Sequence, residues 1–279
     1  MQERKASYPS TRILNLALDL YAAAYNSIKT YARYPMWIIS DLLSTPLWLI
    51  MIMLPIMLFL PKNEWSNPDV YRQFYWGMIF WQVVSMALWS IGFTIRREQQ
   101  MGTIEPLFLT NANRIVMFAG RLVIASMDLA LSMVYLTAVM SAFFNVNITV
   151  KSPILLLFSL ILSMLMSLGI GALYGSLVIK LKEASALSNI LQFILIGFSG
   201  VFFTVTKLPE NLRIISYIIP YTYCIDLVRH AAIGSQTLLE PSIELLLVAI
   251  LTALFLIFGY IVLIKIEENT KKTGRIGTY

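Results

Sequence analysis

Side chains that could do chemistry at neutral pH are scarce in this sequence. It has one histidine, His230, and one cysteine, Cys224, which excludes a two-histidine site, a cysteine metal cluster and a disulfide framework. Acids within its apolar segments are few and scattered, without the clusters that a carboxylate-based active site needs. No Gly-x4-Gly-Lys-Ser/Thr segment is present, so the chain lacks the loop that cradles ATP phosphates.

Composition indicates where most of the chain resides. Of the 279 residues, 58% are hydrophobic and 13% are charged, about half of the charged share typical of soluble domains. A membrane-spanning helix needs about 20 mostly apolar residues, and six stretches of sufficient length contain no charged side chain. We therefore predict an all-α integral membrane protein with six transmembrane helices, at about 36–60, 71–95, 115–144, 153–179, 187–206 and 244–265.

The distribution of basic residues predicts which way the helices run. Fifteen Lys and Arg residues fall in the N-terminus, the second and fourth connections and the C-terminus, against six in the remaining segments. The positive-inside rule then places both termini in the cytoplasm of a multi-pass protein of the cell (plasma or inner) membrane. The net charge of +6 is explained by this topology, and no nucleic-acid partner is expected. The charged, polar start of the chain is not typical of a cleavable signal peptide.

Three regions follow from these patterns. Residues 1–35 form a cytoplasmic N-terminus, residues 36–266 the six-helix domain, and residues 267–279 a cytoplasmic tail. Within the first region, residues 11–34 carry an apolar stripe at steps of four and three. Its members are Leu14, Leu18, Tyr21, Tyr25 and Ile28. The stripe predicts a helix lying at the membrane surface, and the alternative is a cytoplasmic helix that packs on a partner.

Residues 207–243 are too apolar for a free loop, yet prolines and charged residues interrupt them. Two short re-entrant helices in the outer leaflet fit this pattern, because irregular backbone at membrane depth must be covered by protein or line a cavity. Asp226 and Arg229 are spaced to pair on one helix face, and we expect such a pair to hold this turn together rather than to bind substrate. Gly169, Gly171 and Gly175 predict close packing of helix 4 within the subunit.

The connection at 96–110 has the features of a short capped helix. Gly102 breaks the preceding helix, Thr103 is a suitable N-cap, and Glu105 falls in the first turn, where the helix dipole favours an acid. Leu107 and the two residues after it give this helix an apolar side. A soluble partner could accept that side in a groove, and the alternative is a capped surface turn.

Three motifs resemble one family of membrane proteins. Glu98 followed by Gly-Thr-Ile-Glu-Pro-Leu at 102–107 resembles the "E…GT-L-E-x-L" signature of ABC-2 type exporter permeases. The run from Gly197 to Thr204 with a later proline is similar to that family's "SG-x-F-F…P" segment. The stretch from Pro220 to Arg229, followed by a glycine, is similar to its "P…Y…D…R…G" segment. The motifs occur in the family's order and cover most of the chain.

The resemblance implies a role for each region. Residues 96–110 would be the cytoplasmic coupling helix that contacts a separate ATPase subunit, with residues 11–34 as the interfacial helix beside it and residues 207–233 as the re-entrant pair. The coupling residues would be Arg96, Arg97, Glu98, Gly102, Thr103, Glu105, Pro106, Leu107 and Phe108. Candidates along the pathway are Asp128, Gly197, Gly200, Pro220, Asp226 and Arg229. The family often has a proline after the threonine of this connection, whereas Asn111 follows Thr110 here, so the end of the coupling helix is not fixed.

The same resemblance predicts the function. The chain would be the permease subunit of an ATP-driven exporter that moves an amphipathic, lipid-like or drug-like substrate out of the cytoplasm or inner leaflet. It would not be an enzyme and would hold no cofactor, because two ATPase subunits would bind ATP and Mg. A second permease copy, identical or a sister chain, would complete the pathway within the lipid bilayer.

Other functions remain open on the residues alone. They are a membrane enzyme acting on lipid or prenyl substrates, a polysaccharide or glycolipid exporter, and an ion-coupled carrier, which would be expected to have paired ionisable residues and a repeat. Asp128 bears on this choice, because an ionisable residue inside a membrane helix is a functional candidate by default. Its alternative role is a structural bond to Ser or Asn on a neighbouring helix.

Overall fold

The structure is a computed structural model that describes residues 31–91, 114–181 and 185–273 continuously. It also describes the single residues 18, 21, 22, 24, 25, 28, 29, 96 and 100. Regular secondary structure in these parts of the chain is entirely helical, which confirms the predicted all-α membrane fold.

Proline marks the start of most long helices. We number the α-helices α1 (Pro35–Leu58), α2 (Pro68–Ser85), α3 (Arg114–Phe144), α4 (Pro153–Leu181), α5 (Ser185–Phe198), α6 (Glu210–Ile218), α7 (Pro220–Ile233) and α8 (Pro241–Thr273). Five of these begin with proline, which lacks the backbone N–H that would stay unpaired in a first turn. Asn67 additionally caps α2, since its side chain accepts a hydrogen bond from the Asp69 N–H.

Four helices are long and apolar enough to cross a membrane, by length and composition. They are Ile38–Leu58, Leu122–Phe144, Pro153–Leu181 and Pro241–Asn269, and they coincide with predicted helices 1, 3, 4 and 6. At the second predicted position, the 18 residues of α2 continue into a six-residue π-helical segment, Met86–Ile91. At the fifth, α5 is a 14-residue apolar helix.

The fifth helix ends earlier than its hydropathy predicts. We expected a span to residue 206, but α5 stops at Phe198. Gly200 then takes a left-handed conformation with φ of +78°, which is readily adopted only by glycine and breaks the helix. Residues 199–204 therefore form a turn, although their side chains are as apolar as those of a spanning helix.

The two faces of the helical bundle follow from the order of its helices. We call the face at residues 31–35 the inner face, and the opposite one the outer face. The start of α2 and the connection after α3 meet at the outer face, where Arg72 Nε donates to Asn147 O at 3.0 Å. The segment before α4 meets the end of α7 there as well, through Lys151 N–H to Ala232 O at 3.0 Å.

Helix α4 lies at the centre and packs against α8, α7, α2 and the π-helical segment. Its buried serines satisfy their hydroxyls inside the protein. Ser163 Oγ donates to Ser159 O at 2.6 Å, and Ser167 Oγ donates to Val83 O of α2 at 2.9 Å. Ser167 Oγ also lies 2.8 Å from the Tyr221 hydroxyl of α7, so one small side chain joins three helices.

Glycine allows α4 and α8 to approach closely. A Cβ added to Gly169 would lie 2.5 Å from the carbonyl carbon of Phe255 and 2.6 Å from the nitrogen of Leu256. Gly259 of α8 in turn faces the Gly169 carbonyl. These are contacts between backbones, which cannot move aside as a side chain can. The prediction that Gly169 mediates packing within the subunit is confirmed.

We predict that Gly169→Ala destabilises the protein by about 1–3 kcal/mol, because the added methyl group overpacks a backbone crossing. Gly197→Ala is the matched control, since a Cβ there meets nothing within 4 Å and alanine favours a helix. Thermal unfolding of the purified protein in detergent measures both. Equal melting temperatures for Gly169→Ala and wild type would contradict the assigned crossing.

Candidate functional site

A polar recess lies at the inner end of the bundle. It is a cavity of about 460 Å³ between Tyr31, α1, α2 with its π-helical segment, and α3. Small-molecule sites commonly have volumes of about 300–1,000 Å³. The polar lining consists of Tyr31, Asp41, Thr45, Gln82, Ser85, Trp89, Asp128 and Ser132. We refer to this space as the inner cavity.

The order of the helices explains why these side chains meet. Asp41 lies in the second turn of α1, which begins at the inner face. Gln82 and Trp89 lie at the opposite end of α2 and in its π-helical segment, where the chain returns to that face. Asp128 comes six residues after the start of the candidate span Leu122–Phe144, about 9 Å along the helix axis. All four residues therefore reach the same depth.

Asp128 is held by a residue that precedes the spans. The hydroxyl of Tyr31 donates a hydrogen bond to the Asp128 carboxylate. Burial and this bond raise the pKa of Tyr31, so its hydroxyl stays protonated and available as the donor. The alternative role that we considered for Asp128 is a structural bond to Ser or Asn on a neighbouring helix. A structural bond is present, but its partner is Tyr31. The bond instead ties the segment before α1 to α3.

The π-helical segment shapes one wall of the inner cavity. Single π turns within α-helices occur frequently at functional sites, and this one contributes Met86 and Trp89 to the lining. The indole N–H of Trp89 donates to Gln192 Oε1 of α5 at 2.9 Å. Because this bond fixes the ring, the wall of the cavity is linked to the position of α5.

A second polar cluster lies toward the outer face, around the turn that follows α5. Arg229 of α7 is 1% exposed. Its Nη2 donates to Val201 O, and its Nη1 lies 3.5 Å from Phe203 O. On the other side, a Cβ on Gly77 of α2 would overlap Val201 O. The turn of residues 199–204 thus packs between Arg229 of α7 and Gly77 of α2. We call this turn, together with Arg229 and Gly77, the outer lock.

Asp226 and Arg229 attract each other electrostatically but do not close into the predicted pair. Within the described part of the chain no salt bridge joins them. Asp226 Oδ2 instead accepts a hydrogen bond from the Leu238 N–H at 2.6 Å. Each residue therefore fixes a separate piece of irregular backbone, because buried N–H and C=O groups need partners. The expectation that the two hold this region together agrees with these bonds.

The remaining candidates near the outer face, Pro220, Gly200 and Gly197, lie at the starts, ends and turns of helices. Pro220 is the first residue of α7, and Gly200 makes the left-handed turn of the outer lock. Gly197 lies near the end of α5 with open space around it. The predicted re-entrant segment does form two short helices, α6 and α7. Of these, α7 is largely buried, whereas α6 exposes Ile214 and other apolar side chains.

Two acidic residues near these sites, Glu244 and Asp41, were not singled out from the sequence. Glu244 lies in the first turn of α8, is 0% exposed and interacts electrostatically with Asp226. The signal available in the sequence was an acid at the start of an apolar run, which resembles an ordinary first-turn acid. Asp41 gave the same weak signal at the start of α1.

Most of the predicted coupling residues lie outside the described residues: Arg97, Glu98, Gly102, Thr103, Glu105, Pro106, Leu107 and Phe108. Arg96 is described and helical. In the predicted interfacial helix, Leu14 also lies outside the described residues. Leu18, Tyr21, Tyr25 and Ile28 are helical and exposed, and the rings of Tyr21 and Tyr25 stack with centroids 6.2 Å apart.

We predict that Arg229→Ala lowers the stability of the protein by about 2 kcal/mol or more, because buried carbonyls lose a charged donor. Arg229→Lys should restore only part of this loss, since one ammonium cannot replace the planar fork of a guanidinium. Lys207→Ala, at an exposed position, is the control. Melting temperatures of the three variants test the outer lock, and full recovery in Arg229→Lys would argue against it.

Comparison with known proteins agrees with this architecture. No curated protein sequence matches the chain. The family pattern of the ABC-2 type transporter matches residues 19–233, a range that includes the predicted coupling connection, the inner cavity and the outer lock. It covers well over half of the 279 residues. The chain is therefore a member of the ABC-2 type transporter family, a membrane permease of an ABC transporter.

Proposed function

We propose that the chain is the permease subunit of an ATP-driven exporter that moves amphipathic, lipid-like or drug-like molecules out of the cytoplasm or inner leaflet. The observation that carries this proposal is the family match over residues 19–233. The inner cavity supports the substrate class, because it combines polar groups with apolar side chains from α1, α3 and the π-helical segment. Such a lining suits a molecule with both a polar and an apolar part.

The energy for transport comes from a separate subunit in this proposal. Two ATPase subunits bind ATP and Mg, and residues 96–110 of the permease transmit their movement to the helices. ABC-2 permeases in general associate with an ABC ATPase and dimerise. A second permease copy, identical or a sister chain, completes the assembly.

We predict that the purified chain retains its partner ATPase in a pull-down, and that Glu105→Arg and Leu107→Asp each abolish this retention. Charge reversal and loss of the apolar side chain would remove the surface that enters the ATPase groove. Glu210→Arg is the matched control, because it makes the same charge reversal at an exposed position at the start of α6.

Retention by both coupling variants, in protein that still elutes as a single folded species, would contradict the assignment of residues 96–110. Failure of wild type to retain any ATPase would contradict the exporter itself.

Both termini are proposed to lie in the cytoplasm, with the short helix at Lys62–Ser66 outside. The lone cysteine, Cys224, is buried, so Cys224→Ala provides a background without reactive thiols. On that background, we predict that Lys62→Cys reacts with a membrane-impermeant maleimide in intact cells. Lys272→Cys should react only after permeabilisation. The reverse pattern would invert the topology, and would place the inner cavity on the external side.

A further inference from the structure

We propose that the inner cavity binds the cationic head group of an amphipathic molecule, with Asp41 and Asp128 as its counter-charges. The inference deepens the proposed function and rests on it only for the identity of the bound molecule as the transported substrate. Binding itself is a property of this chain and can be measured without the ATPase.

The charge of the inner cavity favours a cation. Asp41 and Asp128 line the same space and are near enough to interact electrostatically. Within the described residues, neither forms a salt bridge, and the polar contact to the Asp128 carboxylate comes from the neutral hydroxyl of Tyr31. Ionisable residues at membrane depth usually pair with an opposite charge. A positively charged ligand would provide it.

The same lining contains an unsatisfied hydrogen-bond donor. The side-chain nitrogen of Gln82 is buried and has no hydrogen-bond partner among the described residues. A buried donor without an acceptor is unfavourable, because it has lost its hydrogen bonds to water without gaining one in the protein. An acceptor atom near the positive charge of a ligand, such as an oxygen, would satisfy it.

The apolar part of the lining suits the body of an amphiphile. Leu42, Ile124 and Leu131 come from α1 and α3, and Met86 and Trp89 come from the π-helical segment. An indole face attracts a nearby cation through its ring quadrupole, and methionine adapts its shape to different apolar partners. These side chains favour a class of lipophilic cations over one particular molecule.

The same carboxylates make the inner cavity selective. An anionic or phosphate-bearing head group would meet two like charges without a described basic side chain to offset them, and specificity against such molecules follows from this repulsion. A role for Asp128 confined to holding Tyr31 would predict no preference for the charge of a ligand. Opposite charge on a molecule of the same shape therefore distinguishes the two roles.

The test is binding of radiolabelled tetraphenylphosphonium to the full chain in lipid nanodiscs, with tetraphenylborate as an isosteric anion. We expect saturable binding of the cation only. Asp128→Asn should weaken it about tenfold or more, because the amide keeps the shape and removes the charge. Asp69→Asn is the matched control, since Asp69 is exposed at the outer end of α2 and pairs with Arg72.

Two further variants keep the outcome interpretable. Tyr31→Phe removes the hydroxyl but leaves both carboxylates, so we expect cation binding at or above the wild-type level, whereas a purely structural bond predicts a loss as large as that of Asp128→Asn. Asp41→Asn, at an exposed position, should weaken binding and retain the fold even where Asp128→Asn does not.

Cation binding equal to anion binding, or unchanged in both Asp→Asn variants, would overturn the inference while ATPase retention still supports the exporter. Selective, aspartate-dependent cation binding by a chain that retains no ATPase would keep the site and reject the exporter.

Discussion

The constraint on which this structure depends is that lipid offers no hydrogen bonds to the backbone. A continuous helix pairs its own backbone N–H and C=O groups. Where a helix is interrupted, other parts of the protein must supply these hydrogen bonds. At the turn after α5, Arg229 supplies donors to Val201 O, and Ser199 N–H bonds back to Leu195 O at 3.0 Å. Arg229 is therefore buried on α7 beside the turn, because its guanidinium supplies the donor for a carbonyl that lipid would leave unpaired.

The same requirement shapes the central helix. The buried hydroxyls of α4 donate to carbonyls of their own helix or of α2, and the Ser167 hydroxyl reaches Tyr221 of α7. Small polar side chains allow helices to approach and leave no donor exposed to lipid. The backbone crossing at Gly169 is possible for a related reason, since Gly169 of α4 and Gly259 of α8 place no side chain between the two backbones. Close packing and hydrogen-bond satisfaction are therefore achieved by one set of small residues.

Sequence reasoning succeeded where the signal is local. Helices 1, 3, 4 and 6 were predicted because each is a long apolar run, and the two short outer helices because prolines and charges interrupt an apolar one. The early end of α5 was not predicted, because hydropathy does not register the left-handed conformation of Gly200. The Tyr31–Asp128 bond joins residues 97 positions apart, and no local pattern in the chain predicts such a contact. Asp226 and Arg229 have the spacing of a pair, yet each hydrogen-bonds to a backbone group of an irregular segment instead of closing a salt bridge.

The two polar sites of the bundle differ in the partners of their charged groups. Around the outer lock, the Arg229 guanidinium donates to a backbone carbonyl and the Asp226 carboxylate accepts from a backbone N–H, although Arg229 Nε has no described hydrogen-bond partner. In the inner cavity, the carboxylates of Asp41 and Asp128 have no described cation. Charged groups bonded to the backbone hold irregular segments in place, whereas acids that line a cavity without a counter-charge are available to a cationic ligand. This difference in partners agrees with a structural role for the outer lock and with the proposed binding role of the inner cavity.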